Sequence, residues 1–458
     1  MKQIRLFNPE HDLALANGDR YFIAPRNIRE MANDLAHLME IITPSDHTDS
    51  ILRLHPSSIN KSVDFSAVLP FPWGWDPAVT ERFKKMGIPT ELLPTDEALA
   101  ALSRRSERST AHLFLQAFRQ AHPDEIYLGE SIIAHTFEEI ANYAESHKHI
   151  LLKAPLSGSG KGLRHVNILN ENKPYDGQES NGVPLLCKPK ESAVATNVYS
   201  APALKKVETW ANALIRRHGY LTAEPFYNKI QDFAMEFIAD TTGCHFIGYS
   251  YFITDTHGRY IGSRLMSDTK AENLLCGYVP REALHEVRQW ITTHYADIIP
   301  NEWDTTHHPL PFGIDMMIAC ENQQSTDKVR ANERNVNFFA ISQRVQTNLS
   351  EANRQQTEEN SGFSIVNSQF KIHPCIEINL RMNMGIIAHE IYHHRLTPDA
   401  EGMFYIARFT NNAALHAFHK EHTQRHPAIY YEGRLSSGYA TLTPIGVDTT
   451  HLAYIICD

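Results

Sequence analysis

A glycine-rich loop directly after a short apolar strand constrains this chain more than any other feature. Residues 151–162 read LLKAPLSGSGKG, so the strand ends in Lys153 and three closely spaced glycines follow. Because glycine lacks a Cβ, consecutive backbone N–H groups can approach an anion, and Lys153 and Lys161 can offset phosphate charge. The loop is not a Walker A motif. Pro155 occupies the position of that motif's first glycine, and Gly162 follows the lysine where the motif has serine or threonine. The pattern predicts a phosphate-binding loop, with a flexible Gly/Ser surface turn as the alternative.

Polar side chains alternate along a strand much further down the chain. Glu377, Asn379 and Arg381 occupy every second position of PCIEINLR, and the period of two places them on one face. Carboxylate and amide oxygens suit Mg²⁺, and a guanidinium suits a phosphate oxygen. Asp315 lies in a second apolar strand, FGIDMM, where a lone carboxylate is costly to bury unless it binds a metal or a cation. An exposed strand face for Glu377 and an ion pair for Asp315 are the alternatives.

The order of these motifs resembles the ATP-grasp superfamily. An arginine-preceded helix, a strand ending in lysine before a glycine loop, a Glu-Pro-Phe hinge, a Gly-x-Asp strand and a Glu-x-Asn-x-Arg strand follow one another. They lie between Arg108 and Gly385, roughly three-fifths of the 458 residues. The resemblance implies an α/β protein with an ATP-grasp fold, in which two α+β subdomains clamp a nucleotide. It also implies a preceding Rossmann-like parallel-sheet domain.

The resemblance divides the chain into four parts. Residues 1–105 would form the Rossmann-like domain, and 106–219 the N-terminal ATP-grasp subdomain with the glycine-rich loop. Residues 220–400 would form the C-terminal subdomain with the metal site, and 401–458 a C-terminal addition. A run rich in Asn, Gln, Ser and Glu near 321–369 indicates a polar surface insertion, which puts about 60 residues between the two acidic motifs.

The N-terminal part has its own pattern of short apolar runs between polar helical stretches. Ile4–Phe7, Val63–Leu69 and Ile88–Leu93 look like strands, and Arg29–Ile41 looks like a helix. Strands that alternate with helices are typical of a parallel sheet.

Carried over position by position, the nucleotide contacts of the family fall on named residues. The implied nucleotide-binding residues are Arg108, Lys153, Ser157, Gly158, Ser159, Gly160, Lys161, Gly162, Glu224, Pro225, Phe226 and Asp232. Arg108 (or Arg105) would replace the first lysine that many members carry. Lys153 would hold the phosphates, the Glu224–Phe226 hinge would face the adenine, and Asp232 or Glu236 would lie near the ribose or the metal.

The metal and catalytic positions follow in the same way. The implied Mg²⁺ ligands are Asp315, Glu377 and Asn379, and the implied catalytic residues are Arg381 and Arg264. Arg381 would contact the transferred phosphoryl group. Arg264 would hold the substrate carboxylate or the acyl phosphate, with an ordinary surface arginine as the alternative.

The family's reaction then gives the expected function. A carboxylate would attack the γ-phosphoryl of Mg²⁺-bound ATP to form an acyl phosphate, and an amine or thiol would displace phosphate. The expected cofactors are ATP and Mg²⁺, and the partners are a small-molecule carboxylate and amine. A nucleotide-binding module without ligase chemistry is a second hypothesis, disfavoured because such a module needs no metal ligands.

A third hypothesis comes from His389-Glu390-Ile391-Tyr392-His393, which matches H-E-x-x-H. On a helix this motif presents two zinc ligands one turn apart, with the glutamate as the base of a metallopeptidase. The chain contains 26 histidines, so a chance match is not rare. No third ligand is evident, although His394, His416 or His419 could be proposed.

Each of two features near the N-terminus has both a functional and a structural interpretation. Asn8, Glu10, His11 and Asp12 follow the first predicted strand and could bind substrate at the strand end or cap a helix. The segment 70–77, PFPWGWDP, could bind a ligand through its turns or pack a domain junction through its two tryptophans.

Composition limits the remaining classes of function. With 43 Lys and Arg against 53 Asp and Glu, the net charge of −10 disfavours a protein that coats nucleic acid. No apolar run reaches the roughly 18–20 residues of a membrane span. Six scattered cysteines without a CxxC pair are typical of reduced thiols. We therefore expect a cytoplasmic protein with no nucleic-acid or membrane partner, while the oligomeric state stays open.

Overall fold

A computed structural model describes residues 2–41, 51–53, 65, 68–157, 162–168, 202–254, 260–320 and 369–458. Four predicted loop residues, Gly158, Ser159, Gly160 and Lys161, lie outside this part of the chain, as does 321–368 of the predicted insertion.

Helices and strands are named in chain order. The helices are α1 (His11–Asn17), α2 (Arg26–Leu35), α3 (Leu38–Ile41), α4 (Pro77–Lys85), α5 (Asp96–Arg105), α6 (Arg108–Ala121), α7 (Phe137–His147), α8 (Pro202–His218), α9 (Asp268–Cys276), α10 (Arg281–Thr293), α11 (Met384–Arg395) and α12 (Asn412–Arg425). The strands are β1 (Lys2–Leu6), β2 (Ile51–Arg53), β3 (Val68–Pro72), β4 (Ile132–Ala134), β5 (His149–Lys153), β6 (Leu163–Asn167), β7 (Leu221–Pro225), β8 (Lys229–Asp240), β9 (Gly243–Thr254), β10 (Tyr260–Leu265), β11 (Leu310–Cys320), β12 (Phe370–Asn379), β13 (Gly402–Arg408), β14 (Ile429–Tyr431), β15 (Arg434–Thr441) and β16 (His451–Cys457).

The described chain forms two compact units. The first comprises described residues of 1–129 and 227–458, and the second those of 130–157 and 161–226. In the first unit, nine antiparallel strands form one sheet in the order β12-β11-β8-β9-β10-β13-β16-β15-β14. The C-terminal strands β13 to β16 thus extend the same sheet that contains β11 and β12.

A smaller parallel sheet stands at the start of the first unit, where β1 pairs in parallel with β2 and β3. Three parallel strands, with the helices α1 to α3 between β1 and β2, agree with the predicted alternation, but the described residues do not extend it to a larger Rossmann-like sheet. The strand predicted over Ile88–Leu93 is wrong, because the segment forms a 3₁₀ turn at Thr90–Leu92. It lies between Pro89 and Pro94, and proline cannot donate to a strand ladder.

The second unit is a four-stranded antiparallel sheet, β4-β7-β5-β6, packed with α7 and α8. Its apolar core includes Ile140, Ile150, Leu152 and Leu204. Helix α7 begins with a capping box in which Thr136 accepts from the N–H of Glu139. Core packing and this cap set the position of β5, which ends in Lys153.

Two loop-to-helix junctions of the first unit are fixed by N-caps. Ser267 accepts from the N–H of Lys270 at the start of α9, and Asn383 accepts from that of Ile386 at the start of α11. Side-chain caps satisfy N–H groups that would otherwise lack partners. None of the described helices combines the length and the apolar character needed to cross a membrane.

Candidate active site

The antiparallel pair β11/β12 brings the three predicted metal ligands together. Asp315 lies directly opposite Glu377 in the register, and Gly313 lies opposite Asn379. Asn379 Nδ2 donates to Asp315 Oδ2 at 3.3 Å. The chain segment between the two strands is long, yet the register places both carboxylates and the amide at one place on the sheet. Their roles as ligands stay a prediction.

Two carboxylates that face each other in a partly buried site need a positive charge. Burial and the neighbouring Glu377 both raise the pKa of Asp315, while Arg381 and the hydrogen bond from Asn379 act against that rise. A divalent cation would remove the repulsion and restore the ionised form of Asp315. The set also offers hard oxygen donors, which Mg²⁺ prefers. The residues present therefore fit Mg²⁺.

Two arginines supply positive charge beside this set. Arg108, at the start of α6, is buried and places Nη2 3.1 Å from Glu377 Oε1. Its Nε has no hydrogen-bond partner among the described residues, so it is able to donate to a ligand. Arg381 is held by Asp12, with Nε to Oδ1 at 2.9 Å and Nη2 to Oδ2 at 2.8 Å, and it donates to Asn379 Oδ1 at 3.1 Å.

The Asp12–Arg381 pair joins two distant parts of the sequence. Burial raises the pKa of Asp12, but the ion pair and hydrogen bonds with Arg381 outweigh it and lower the pKa to about 2. Asp12 therefore fixes the orientation of Arg381 next to the predicted metal ligands. Although Asp12 stands out in the sequence as one of several polar residues after β1, nothing in the sequence pairs it with Arg381.

Glu236 is a buried carboxyl group on β8, opposite Gly313 of β11. Asn383 Nδ2 donates to Glu236 Oε2 at 2.7 Å. A Cβ at Gly313 or Gly385 would collide with the Glu236 carboxyl group, so a larger residue at either position would displace that side chain. Burial raises the pKa of Glu236 to about 8; the hydrogen bond from Asn383 opposes this rise, and Asp315 adds to it.

Two other predicted residues of the first unit already have partners. Asp232 pairs with Lys229 and accepts from Thr254 Oγ1 at 3.0 Å. Arg264 on β10 places Nη2 3.3 Å from Glu401 Oε2. Glu401 thus offsets much of the charge predicted to bind a substrate carboxylate.

In the second unit, the antiparallel register pairs Lys153 with Thr222 and Leu151 with Glu224 on β5 and β7. Lys153 Nζ lies 2.5 Å from Glu224 Oε1, and both side chains are largely buried. The two residues that the resemblance assigns to the phosphates and to the adenine therefore form one ion pair. The sequence does not reveal this pairing, because it depends on the register of strands about 70 residues apart.

The hinge and the loop ends lie beside this ion pair. Phe226, which follows Pro225, stacks on His149 with ring centroids 4.1 Å apart and remains 47% exposed. A Cβ at Gly162 would collide with the Ser157 side chain, so the described ends of the glycine-rich loop pack tightly against each other.

The H-E-x-x-H segment lies on helix α11, as that motif requires. His389 Nε2 is 3.3 Å from Asp268 Oδ2, and Asp268, His389 and His393 each place one ligand atom within 4.8 Å of the others. The third ligands suggested from the sequence are wrong. The first of them, His394, instead places Nε2 3.1 Å from Glu390 Oε2. Burial lowers the pKa of His389, but its contacts with Asp268 and Glu390 outweigh burial and raise the pKa to about 9.

The other suggested third ligands also lie elsewhere. His419 Nδ1 is 3.1 Å from the Tyr439 hydroxyl, and His416 lies on the same helix α12. The residue that joins the histidine pair is Asp268, which precedes it by more than 100 positions and has no motif of its own.

The two N-terminal features make contacts within the protein, and Asp12 of the first feature is the partner of Arg381 described above. Asn8 Nδ2 donates to the Gly74 carbonyl at 2.8 Å and to Asp76 Oδ2 at 3.1 Å, which ties together the loops after β1 and β3. The capping interpretation is wrong at Glu10, whose side chain makes no cap hydrogen bond to α1. Both tryptophans of segment 70–77 are buried, in agreement with their packing role.

Comparisons with known proteins give remote structural likenesses. No family model matches the sequence, and no curated protein matches it either. N5-carboxyaminoimidazole synthetase from Staphylococcus aureus, complexed with ADP, is 11% identical, with a TM-score of 0.38 over 99% of this chain and 92% of that one. Biotin carboxylase from Campylobacter jejuni, in an ATP complex, is 10% identical, with a TM-score of 0.42 over 85% and 70% of the two chains.

A third solved structure is the biotin carboxylase domain of 2-oxoglutarate carboxylase from Hydrogenobacter thermophilus, in complex with MgADP, ADP and bicarbonate. It is 10% identical, with a TM-score of 0.38 over 85% of this chain and 70% of that chain. With TM-scores below 0.5 and identities of 10–11%, these likenesses carry no argument about this chain.

Proposed function

We propose that the chain is a Mg²⁺- and ATP-dependent ligase that joins a carboxylate to an amine through an acyl phosphate, releasing ADP and phosphate. The observation that carries the proposal is the register of β11 and β12, which sets Asp315 opposite Glu377 with Asn379 bonded to Asp315. Two partly buried carboxylates that face each other, with an amide bonded to one of them, form a set of oxygen donors of the kind that Mg²⁺ prefers.

Residues of the first unit would have different roles around that cation. Asp315, Glu377 and Asn379 would hold Mg²⁺, which would supply positive charge against the charge that builds on the transferred phosphoryl group. Arg381, fixed by Asp12, would donate to an equatorial phosphoryl oxygen. Arg108 would exchange part of its contact with Glu377 for a phosphate oxygen when the nucleotide binds.

The proposed reaction has two steps, a phosphoryl transfer to the carboxylate and an acyl transfer to the amine. A carboxylate oxygen of the substrate attacks the γ-phosphorus, and the bond between that phosphorus and the β–γ bridging oxygen breaks, so that ADP leaves. An amine then attacks the acyl carbon, the C–O bond to phosphate breaks, and the amine loses a proton. Arg264 would hold the substrate carboxylate only by exchanging its partner Glu401. Its assignment to this step rests on the resemblance.

Lys153 is assigned to the ATP phosphates by the same resemblance. Its supporting feature is a buried ammonium group at the end of β5, directly before the glycine-rich loop. The ion pair with Glu224 offsets the charge of this buried ammonium group.

Capture of the acyl phosphate tests the proposal. The protein is incubated with Mg·ATP, a panel of small carboxylates and hydroxylamine, and both ADP and hydroxamate are measured. We expect one carboxylate to give equal amounts of both products, and Asp315→Asn to lower the rate at least about 100-fold, as losses of transition-state charge stabilisation do. The exposed control Asp399→Asn should retain the rate.

The second hypothesis, a nucleotide-binding module, predicts a different result. Such a module would bind the nucleotide but would release no ADP above background with any carboxylate. Hydroxamate that forms equally fast in Asp315→Asn would contradict the assignment of the metal site.

A further inference from the structure

We infer that Asp268, His389 and His393 form a second metal site, which takes a divalent transition-metal ion such as Zn²⁺ and is separate from the magnesium site on β11 and β12. The site links the start of α9 to the middle of α11, both in the first unit. It does not depend on the proposed ligase activity.

The distances between the ligand atoms fit a tetrahedral ion. Tetrahedral Zn²⁺ with bonds of about 2.0–2.1 Å places its ligand atoms about 3.3 Å from one another. His389 Nε2 and Asp268 Oδ2 lie 3.3 Å apart, and one ligand atom from each of Asp268, His389 and His393 lies within 4.8 Å of the other two. His393 is exposed, so its side chain has room to rotate toward an ion. Its position one helical turn from His389 puts both imidazoles on the same face.

The surrounding residues hold two of the ligands in place. Asp268 Oδ1 accepts from the Tyr249 N–H at 2.9 Å, which fixes the carboxylate and leaves Oδ2 toward the histidines. A Cβ at Gly248 would collide with both His389 and Asp268, so a larger residue there would displace these side chains from their present positions. Because outer contacts orient metal ligands and raise affinity, this arrangement favours a preformed site.

The donor set selects the class of metal. Two imidazoles and one carboxylate suit Zn²⁺ and its first-row neighbours, whereas Mg²⁺ prefers oxygen ligands alone. One coordination position remains for water. The site also differs from that of a metallopeptidase, because Glu390, the residue that would act as base, places Oε2 3.1 Å from His394 Nε2. A structural clamp between α9 and α11 is the role that this geometry supports.

Zinc binding by the full chain tests the site. Metal-free protein is titrated with Zn²⁺ against a chromophoric chelator, and the number of bound ions and their dissociation constants are compared between wild type and His393→Gln. The substitution is at an exposed position, so folding is retained. We expect the variant to lose one ion per chain or to bind it at least about tenfold more weakly, since even outer-shell changes cost about 10- to 100-fold.

His394→Gln is the matched control, because it removes the next imidazole of the same helix but not a proposed ligand. Its zinc binding should equal that of the wild type. Co²⁺ supplies a second readout: the wild type should show the intense visible bands of tetrahedral Co²⁺, and Asp268→Asn and His393→Gln should weaken them.

Equal zinc stoichiometry and affinity in wild type and His393→Gln would overturn the inference. A wild type that binds no Zn²⁺ at micromolar concentration would overturn it as well, and would leave Asp268 and His389 as a plain ion pair. Neither result bears on ATP binding, because that assay is run with Mg²⁺ and measures the nucleotide.

Discussion

Replacement of Glu236 by glutamine should stabilise the protein, and by an amount that grows with pH. Glu236 is only 1% exposed, and burial raises its pKa from 4.5 to about 8. The folded state therefore holds the proton more tightly than the unfolded chain does, so the wild type loses stability as the pH rises from about 4.5 to 8. Glutamine keeps an acceptor for Asn383 and cannot ionise.

The size of the effect follows from the two pKa values. Each pKa difference of one is worth about 1.4 kcal/mol at full ionisation, so the ceiling is about 5 kcal/mol. Partial protonation reduces the difference between wild type and Glu236→Gln to about 1 kcal/mol at pH 5 and about 3 kcal/mol at pH 7. These figures take the neutral carboxyl group and the amide as equivalent in their contacts.

Denaturant unfolding of both proteins at several pH values between 5 and 8, in EDTA, measures this difference. The exposed residue Glu91 supplies the control, because Glu91→Gln should change the free energy of unfolding little and equally at every pH. A difference between wild type and Glu236→Gln that stays constant from pH 5 to pH 8 would refute the reasoning. It would mean that Glu236 is ionised in the folded state at ordinary pH.

Three further predictions concern other buried charges and imidazoles. Lys153→Met should weaken ATP binding about 10- to 100-fold in calorimetry, as loss of a charge-assisted hydrogen bond does, whereas the exposed Lys206→Met should not. Burial lowers the pKa of His308 to about 4, so the unfolded chain takes up the proton first as the pH falls below 6.5. His308→Phe should therefore lose about 2 kcal/mol less stability than the wild type between pH 7 and pH 5, measured by denaturant unfolding. Arg381 lowers the pKa of Asp12 from 3.8 to about 2, so the stabilisation by its ionised form is complete above pH 4 and is lost as the pH falls toward 2. Asp12→Asn should therefore cost about 2 kcal/mol at pH 7 and about 1 kcal/mol at pH 3, measured by denaturant unfolding. An equal cost at both pH values would contradict the last prediction.

The sequence predicts single strands and the faces of their side chains better than it predicts which strands pair. Alternation along β12 places Glu377 and Asn379 on one face, because a strand has a period of two. That Asp315 lies directly opposite Glu377 depends on the register across a long intervening segment, which no local pattern records. The same limit explains why the Lys153–Glu224 ion pair could not be foreseen.

Contacts between distant segments explain the other site features that the sequence does not predict. Asp12 after β1 holds Arg381 after β12, and Asp268 at the start of α9 meets His389 on α11. Each pair joins residues more than 100 positions apart, so their proximity is a property of tertiary packing. The prediction of a strand over Ile88–Leu93 is wrong for a reason that is visible in the sequence, because Pro89 lies within the segment and Pro94 follows it.

The central claim, that Asp315, Glu377 and Asn379 hold Mg²⁺ for ATP, is tested most directly by calorimetric titration with a non-hydrolysable ATP analogue. Wild type, Glu377→Gln and the exposed control Glu91→Gln are each titrated with and without Mg²⁺. We predict micromolar affinity for wild type and control that weakens at least about tenfold without Mg²⁺, and affinity in Glu377→Gln that is weak and nearly independent of Mg²⁺. Folded wild-type protein that binds no analogue, or binds it equally well with and without Mg²⁺, would contradict the account.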